Sequence, residues 1–238
     1  MPRRQRQMCI RDSLIPSNFK YVHSGIPTDE EKANWFERWE KHLPKKGELL
    51  LFDRSWYTRA LIEPTLGYCT KTEYKKFMNK VNKWEKNLIK SDIELIKFYF
   101  SIDQDQQKRR LSARKNSKLK YWKLSKSDQM MVDKWDLFTL YKNQMFDITS
   151  TKIAPWVVVN ANTKMIARLS ALRYLLNSFE ACRFELSDSV KLNNYPLHHL
   201  KEVLYFLIVN HQCLKQLHYL KDRLENFCLL LINLNLLD

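Results

Sequence analysis

Glycine is scarce in this sequence. Its 238 residues contain three glycines, Gly25, Gly47 and Gly67, and none of them is followed by lysine. A complete phosphate-binding loop of the form G-x-x-x-x-G-K-[ST] is therefore excluded from these residues.

Cysteine and histidine are also few, and their spacing predicts no metal site. The five cysteines are scattered, odd in number and without C-x-x-C spacing. Neither a disulfide framework nor a zinc site is predicted, and a reducing, cytoplasmic location fits best. His211 and His218 are seven residues apart, and we interpret this pair as helix surface rather than as metal ligands.

Long apolar runs are absent as well. The longest ones, such as Val203–Val209 and Phe227–Ile232, are far shorter than the ~20 residues that a transmembrane helix needs. The basic start of the chain, Pro2–Arg11, is not followed by the apolar region of a secretory signal. The sequence therefore predicts neither a membrane span nor export.

Positive charge is abundant and unevenly placed. There are 41 Lys and Arg against 26 Asp and Glu, a formal net charge of +15. This excess predicts a polyanionic partner, which composition alone leaves open between nucleic acid, an acidic membrane and a phosphate polymer. Residues 179–238 carry six basic and seven acidic side chains, so the signal comes from the first 178 residues.

Apolar runs alternate with helical periodicity, which predicts an α/β domain with a mainly parallel sheet. Residues 1–15 are expected to lie outside the fold, residues 16–178 to form the domain, and residues 179–238 to form a Leu-rich tail. The tail is read as two amphipathic helices, Leu197–Leu220 and Arg223–Leu237, or as sequence without selected packing. The predicted strands are Phe19–His23, Glu48–Phe52, Ile93–Ile102 and Trp156–Val159, and the predicted helices run from a Thr28 capping box to Leu43, over Tyr74–Lys90, through Trp135 and Phe146, and over Lys164–Leu176.

The segment Leu49–Ala60, LLLFDRSWYTRA, places a carboxylate at the end of an apolar strand. Asp53 could hold Mg²⁺ there, and Arg54 and Arg59 could bind phosphate oxygens with their planar forks. The alternative is an ordinary strand that ends in a solvated aspartate with surface arginines. Pattern alone leaves both interpretations open.

A second basic segment runs from Lys108 to Lys126 and includes Tyr121 and Trp122. It suits a mobile lid, about residues 103–128, that closes over phosphates. Basic residues interleaved with aromatics also describe a single-strand nucleic-acid surface, and a solvated helix face is the third possibility.

The segment Gly47–Thr70, GELLLFDRSWYTRALIEPTLGYCT, resembles the Walker B region of the polyphosphate kinase 2 family. The similarity covers about Pro16 to Ser178, and it implies a P-loop-kinase-like parallel sheet flanked by helices. Its further segments are Ile93–Ile102 (IELIKFYFSI), Gln106–Arg114 (QQKRRLSAR), Leu119–Ser125 (LKYWKLS), Lys134–Thr139 (KWDLFT) and Ala154–Val158 (APWVV).

The resemblance also implies an activity and roles for single residues. Members of the family transfer phosphoryl groups between polyphosphate and nucleoside di- or monophosphates with Mg²⁺, and they commonly assemble as homo-oligomers. Asp53 matches the aspartate that organises Mg²⁺, and Arg54 and Arg59 match phosphate-binding arginines. Arg110 and Arg114 match the arginines of the lid. Lys120 and Lys123 match lysines on the polyphosphate path.

Two departures from the family pattern stand out. The glycine-rich Walker A loop and its strand should precede Pro16, where fifteen unrelated residues stand, and Met8–Ser13 (MCIRDS) resembles a translated adapter remnant. We therefore expect a truncated member that lacks activity, with neighbouring strand edges left exposed. At Ser117 and Lys118 the family usually has Asp-Pro, so the tip of the lid is expected to differ in shape. The alternative function is a polyanion-binding module without catalysis.

Overall fold

The structure is a computed structural model that describes residues 19–45, 48–178 and 227–232. The predicted N-terminal segment, residues 1–15, and the first predicted tail helix, Leu197–Leu220, lie outside these residues. Within the described ranges, no helix is both long enough and apolar enough to cross a membrane.

Strands and helices alternate along the chain as the periodicity predicts. Two single turns of 3₁₀ helix, Trp56–Arg59 and Tyr121–Lys123, interrupt the longer elements. The strands and α-helices, in chain order, are β1 (Phe19–Val22), α1 (Asp29–Ala33), α2 (Glu37–Glu40), β2 (Leu49–Phe52), α3 (Ile62–Leu66), α4 (Lys71–Lys90), β3 (Glu94–Ser101), α5 (Gln104–Lys115), α6 (Lys126–Asp133), α7 (Trp135–Thr149), β4 (Trp156–Asn160), α8 (Lys164–Ser178) and β5 (Phe227–Ile232).

The five strands form one sheet in the order β1-β2-β5-β3-β4. Every neighbouring pair is parallel. The α/β fold class with a parallel sheet flanked by helices is therefore confirmed. Along the chain, β1 to β4 follow one another across the sheet in one direction, and β5 then returns to the middle. The strand order therefore reverses at β5, and the carboxyl end of this strand is the topological switch point, where open α/β sheets bind their ligands.

The strands are apolar because both faces of the sheet are covered. Leu50 and Phe52 of β2 belong to a large, aromatic-rich cluster on one face. Leu51, between them, belongs to a smaller cluster on the other face, where Ala167 and Leu175 of α8 pack. This alternation buries three consecutive residues of a short strand.

Capping boxes set the starts of three helices. Thr28 caps α1 with Glu31, Thr70 caps α4 with Glu73, and Ser125 caps α6 with Asp128. In each box the N-cap hydroxyl accepts the N3 backbone N–H and the N3 carboxylate accepts the N-cap N–H. The first box confirms the predicted helix start.

The helix predicted from Thr28 to Leu43 is divided in two. Asn34 ends α1 with a backbone outside the helical region (φ −110°, ψ 61°). Trp35 can then lie buried and donate its indole N–H to the Trp56 carbonyl at 3.0 Å. Tertiary packing of the tryptophan, which periodicity does not report, outweighs helix continuity here.

Two predictions about the tail and the sheet are wrong. The segment predicted as a helix over Arg223–Leu237 contains the strand β5 instead. The strand edges expected to be exposed are covered, because β5 pairs with β2 on one side and β3 on the other. A six-residue apolar run between two strands gains two hydrogen-bonded ladders, which a helix at this place would not provide.

Candidate functional site

Asp53 lies immediately after β2, at the carboxyl edge of the sheet. Its backbone N–H donates to the Val22 carbonyl at 3.1 Å, which extends the ladder with β1 by one step. Its Oδ2 lies 3.0 Å from Nδ1 of His23, the residue that follows β1. The Asp53 side chain is 19% exposed, so the carboxylate is held by its neighbours and still reaches solvent.

Arg54 is half-buried beside Asp53. Within the described part of the chain, no hydrogen bond or ion pair engages its guanidinium group. A cation next to an aspartate at a strand end, with its donors uncommitted, can bind an anionic ligand without first breaking an internal contact.

Arg59 has a different environment, although it follows Arg54 by only five residues. It is 2% exposed. Its Nε lies 2.7 Å from Oε2 of Glu63, its Nη1 donates to Glu73 at 2.9 Å, and its guanidinium carbon lies 4.1 Å from the centre of the Trp35 ring. The structure therefore places Arg59 inside the protein, with two carboxylates as partners.

The pKa values of the two carboxylates around Arg59 are shifted in opposite directions. Burial raises the pKa of Glu63 above its ordinary value, and Arg59 opposes this effect. The backbone N–H of Thr70 lowers the pKa of Glu73, and Arg59 contributes to the same lowering. Arg59 thus ties α3 and the start of α4 to the segment after β2.

A buried polar network anchors the 3₁₀ helix that follows Asp53. Glu85 of α4 accepts hydrogen bonds from the Trp56 indole at 3.0 Å and the Tyr57 hydroxyl at 2.7 Å. Lys97 of β3 donates to Glu85 at 2.9 Å, to Tyr57 at 3.1 Å and to the Thr149 carbonyl at 2.7 Å. All three ammonium N–H bonds are used, as burial of such a group requires.

Burial is the largest cause of the pKa shifts in this network. It lowers the pKa of Lys97, although the nearby Glu85 carboxylate opposes the shift. It also raises the pKa of Tyr57 well above the ordinary value, and Glu85 adds to that increase. The Tyr57 phenol therefore stays protonated and acts as a hydrogen-bond donor to Glu85.

The segment after β3 begins with reciprocal hydrogen bonds between two loops. Asp103 precedes α5, and its N–H donates to the Asn162 side chain at 3.0 Å, while the Asn162 amide donates back to the Asp103 carboxylate. Arg110 donates to the carbonyls of Ala161 at 2.6 Å and of Asn162 at 3.1 Å. These bonds fix α5 to the loop that follows β4.

The remaining predicted lid residues differ in exposure. Arg114 is buried on α5, whereas Lys120 is exposed after it. Lys123 lies in the second 3₁₀ helix. Leu119, Tyr121 and Trp122 are 83%, 63% and 52% exposed. The part of the segment beyond α5 therefore presents lysine together with aromatic surface to solvent.

Four of the predicted site residues lie on segments that leave the carboxyl edge of the sheet after two of its strands. Asp53 and Arg54 follow β2, and Arg110 and Arg114 follow β3. Because β5 lies between these strands, the carboxyl ends of β2 and β3 are about 10 Å apart, which is twice the spacing of paired strands.

The arrangement offers a divalent cation one carboxylate. In the described ranges, no three His, Cys, Asp or Glu side chains come together as a metal site. Mg²⁺ commonly uses one or two carboxylates and takes its other ligands from water and substrate phosphates. Asp53, partly exposed and engaged on one oxygen only, fits that requirement.

Most of the chain matches the model of one protein family. The model described as Polyphosphate kinase 2 (PPK2) matches residues 8–186. The chain belongs to the polyphosphate kinase 2 family. Four of the five strands, β1 to β4, lie within the matched residues, and β5 lies outside them.

Individual members of the family give the same result. The chain is 41% identical over 170 residues to a GDP-polyphosphate phosphotransferase of Mycolicibacterium smegmatis, which covers 71% of this chain and 60% of that protein. It is also 41% identical to NDP-polyphosphate phosphotransferase 2 of Ruegeria pomeroyi, with 71% and 49% covered. The chain thus spans about half to three fifths of the length of these relatives.

A solved structure of the family shares the architecture. The polyphosphate kinase 2 of Arthrobacter aurescens TC1 superposes with a TM-score of 0.67 at 30% identity, over 86% of this chain and 73% of that one. The match supports both the sheet and the helices that flank it.

Local patterns did not identify several residues that contact the candidate site or support the segment after Asp53. His23 and Asn162 come from loops far away in sequence from their partners Asp53 and Asp103, so no local pattern links them. Lys97 did leave a signal, because a lysine in the middle of a buried strand needs an anionic partner. The identity of that partner, Glu85, depends on the packing of α4 against β3.

Proposed function

We propose that this chain carries the cation-binding and phosphate-binding half of a polyphosphate:nucleotide phosphotransferase site. The reaction class is transfer of a terminal phosphoryl group between polyphosphate and a nucleoside di- or monophosphate. Membership of the polyphosphate kinase 2 family and the names of the relatives support this class.

One observation carries the proposal. Asp53 stands at the end of a buried strand beside the switch point, and Arg54 next to it has no internal partner within the described ranges. Here the aspartate is held by His23, and the arginine is left for a ligand.

The chemistry that these residues support is an in-line displacement. A phosphate oxygen of the nucleotide attacks the terminal phosphorus of polyphosphate, a new O–P bond forms, and the bridging O–P bond breaks. The nucleotide gains one phosphate and the polymer loses one. Charge on the transferring oxygens is the main obstacle, and fixed cations reduce it.

The residues divide into those that touch phosphate and those that support them. Asp53 would hold Mg²⁺, which neutralises phosphate charge when it is bound. Arg54 would bind the phosphates beside it, and Lys120 and Lys123 would follow the polymer away from the reacting end. Arg59, with both carboxylate partners engaged, would position the Asp53 segment rather than contact phosphate.

Arg110 and Arg114 would contribute positive charge from α5. Arg110 is held by the loop after β4, so its position does not depend on closure of the segment around Tyr121. The exposed part of the segment beyond α5 would move toward the phosphates, while the helix to which it is attached stays fixed.

Turnover is expected to be low, because the 238 residues contain no glycine-rich phosphate loop. Loss of one preorganised backbone or side-chain donor typically costs ~10²–10³ in rate. Polyphosphate binding should be affected less, because the charged side chains remain. Binding and turnover therefore test different parts of the proposal.

The experiment measures polyphosphate affinity with and without Mg²⁺, together with nucleoside triphosphate formation from the diphosphate. Arg54→Ala should weaken binding about tenfold or more, the value of a charge-assisted hydrogen bond. Asp53→Asn should remove the Mg²⁺-dependent part of the affinity. Lys152→Ala, an exposed lysine before β4 and hence at the opposite edge of the sheet, is the control and should leave both values unchanged.

Equal affinity of wild-type protein, Arg54→Ala and Asp53→Asn for polyphosphate would contradict the proposed site. Turnover at the level of the longer relatives would contradict the expected loss of rate. It would leave the assignment of Asp53 and Arg54 to be tested by the same variants.

A second candidate is polyanion binding without catalysis. The exposed aromatic rings of Tyr121 and Trp122 beside Lys120 favour it, because such a surface suits single-stranded nucleic acid as well as polyphosphate. It predicts affinity that falls steeply with salt, is indifferent to Mg²⁺ and to Asp53→Asn, and is similar for RNA of equal charge.

A further inference from the structure

The central strand of the sheet comes from the end of the chain. Register places Cys228 of β5 between Leu50 of β2 and Leu95 of β3, and Leu229 between Leu51 and Ile96. Both edges of β5 are therefore paired. Without it, β2 and β3 would stand about 10 Å apart, which is too far for hydrogen bonds between them.

This strand is also the one that lies outside the family match. The matched residues, 8–186, supply two pairs of strands, β1 with β2 and β3 with β4. A gap one strand wide separates the two pairs. Isolated two-stranded sheets are marginally stable, and unpaired edges promote association.

We propose that the gap between β2 and β3 is an acceptor site for one parallel apolar strand, and that the chain fills it with its own residues 227–232. The occupant joins the two halves of the sheet into one folding unit. This role does not depend on the proposed phosphotransferase function, because it rests on backbone pairing alone.

The chemistry of the acceptor defines what can occupy it. Each side offers a row of backbone donors and acceptors, so the occupant must be extended and without proline. The flanking strands are buried on both faces, so the occupant must be apolar throughout. The segment FCLLLI meets both conditions.

The chain length between α8 and β5 favours an occupant from the same molecule. Residues 179–226 connect them, far more than the dozen or so that a parallel crossover needs. A strand on the same chain is also present at high effective concentration, whereas one from a second copy has to be recruited from solution.

The occupant completes the sheet without supplying a phosphate loop. Its carboxyl end lies at the switch point beside Asp53, where the loop after a central strand usually binds ligand. The residues that follow Ile232 read NLNLLD and contain neither glycine nor lysine.

The first test is a proline in the middle of β5. Leu229→Pro removes a backbone donor in a doubly paired strand, and Leu237→Pro is the same substitution outside it. Leu229→Pro should lower the Tm by about 6–12 °C or abolish cooperative melting, while Leu237→Pro should melt like the wild-type chain. Equal melting of the two variants would overturn the proposal.

The second test applies to chains that remain folded. In a background where Cys9, Cys69, Cys182 and Cys213 are serine, Leu95→Cys creates a thiol at a register partner of Cys228, whereas Ile96→Cys is one residue out of register. Paired strands bring Cα atoms within disulfide range. Mild oxidation should therefore yield a cross-linked monomer for Leu95→Cys and little or none for Ile96→Cys.

Three outcomes of the second test would overturn the proposal. A covalent dimer would show that the strand comes from a second copy. Absence of any cross-link in the Leu95→Cys variant would show that β5 does not occupy the gap. Equal cross-linking of both variants would show that the strand has no fixed register there.

Discussion

The segments that follow β2 and β3 contain the same kinds of charged residue and use them differently. After β2, Arg59 and the network around Glu85 lie inside the protein and hold a short 3₁₀ helix in place. After β3, the charge beyond α5 is exposed, and Lys120 lies among aromatic rings in solvent. The first segment is held in place by buried contacts, and the second presents its charge to solvent.

The difference arises from what surrounds each charge. Aromatic rings pack around the first segment, with Trp39, Phe52 and Trp56 in mutual edge-to-face contact, and exclude water. A charge placed there has to find a protein partner. The second segment has no such cover, so water can solvate its lysines until an anion replaces it.

The first segment should fail when its central cation is removed. Lys97→Met leaves Glu85 buried without its ammonium partner, and we expect a loss of about 3–5 kcal/mol in the free energy of unfolding, measured by urea denaturation. The double variant Lys97→Met with Glu85→Gln should recover part of the loss, because it removes the unpaired charge. Equal stability of the wild-type chain and Lys97→Met would contradict a buried pair.

Arg59 provides a second way to break the first segment. Arg59→Met removes the partner of Glu63 and of Glu73, and we expect a loss of about 2–3 kcal/mol, smaller than for Lys97 because Glu73 is 34% exposed. Arg54→Met is the matched control, since it has no such partners, and should change the free energy of unfolding by less than about 0.5 kcal/mol. If both variants lost the same stability, the distinction between the two arginines would be wrong.

The contribution of Glu73 to the first segment should show in how the melting temperature depends on pH. The folded-state pKa of Glu73 is lowered, so its contribution is present above the ordinary value and is lost as pH falls through the lowered one. Glu73→Gln should therefore melt about 2–4 °C below wild type at pH 7, and this difference should shrink as the pH falls below the ordinary pKa of glutamate. A difference that stays constant or grows toward low pH would have the opposite sign.

The exposed segment should respond in binding rather than in stability. Lys120→Ala is expected to leave the free energy of unfolding within about 0.5 kcal/mol of wild type. It should weaken polyphosphate binding and reduce the dependence of affinity on salt. Lys152→Ala, the control lysine at the opposite edge, should change neither, and a large loss of stability in Lys120→Ala would place that lysine in the core.

Local patterns predicted the elements whose causes are local. Thr28 and Glu31 form the expected capping box, and the apolar run before Asp53 forms the expected strand. The same reasoning extended the helix after Thr28 too far, because the contact between Trp35 and Trp56 joins residues distant in sequence. It also assigned the last apolar run to a helix.

The candidate site divides in the same way. Asp53 and Arg54 could be named from one strand and the two residues after it. The pairing of Asp53 with His23 could not, because it depends on which strands are neighbours. Nor could the burial of Arg59, since Glu63, Glu73 and Trp35 become its surroundings only after α3 and α4 pack.

The amino-acid sequence by itself determined the parallel α/β class, the family and the position of the aspartate at a strand end. These follow from periodicity and from short motifs, which act over a few residues. Tertiary structure alone decided which arginine is buried, what holds Asp53, and that residues 227–232 are the central strand. The physical reason is that an apolar segment adopts the conformation in which its backbone is paired, and the partners of this one lie more than a hundred residues away in the sequence.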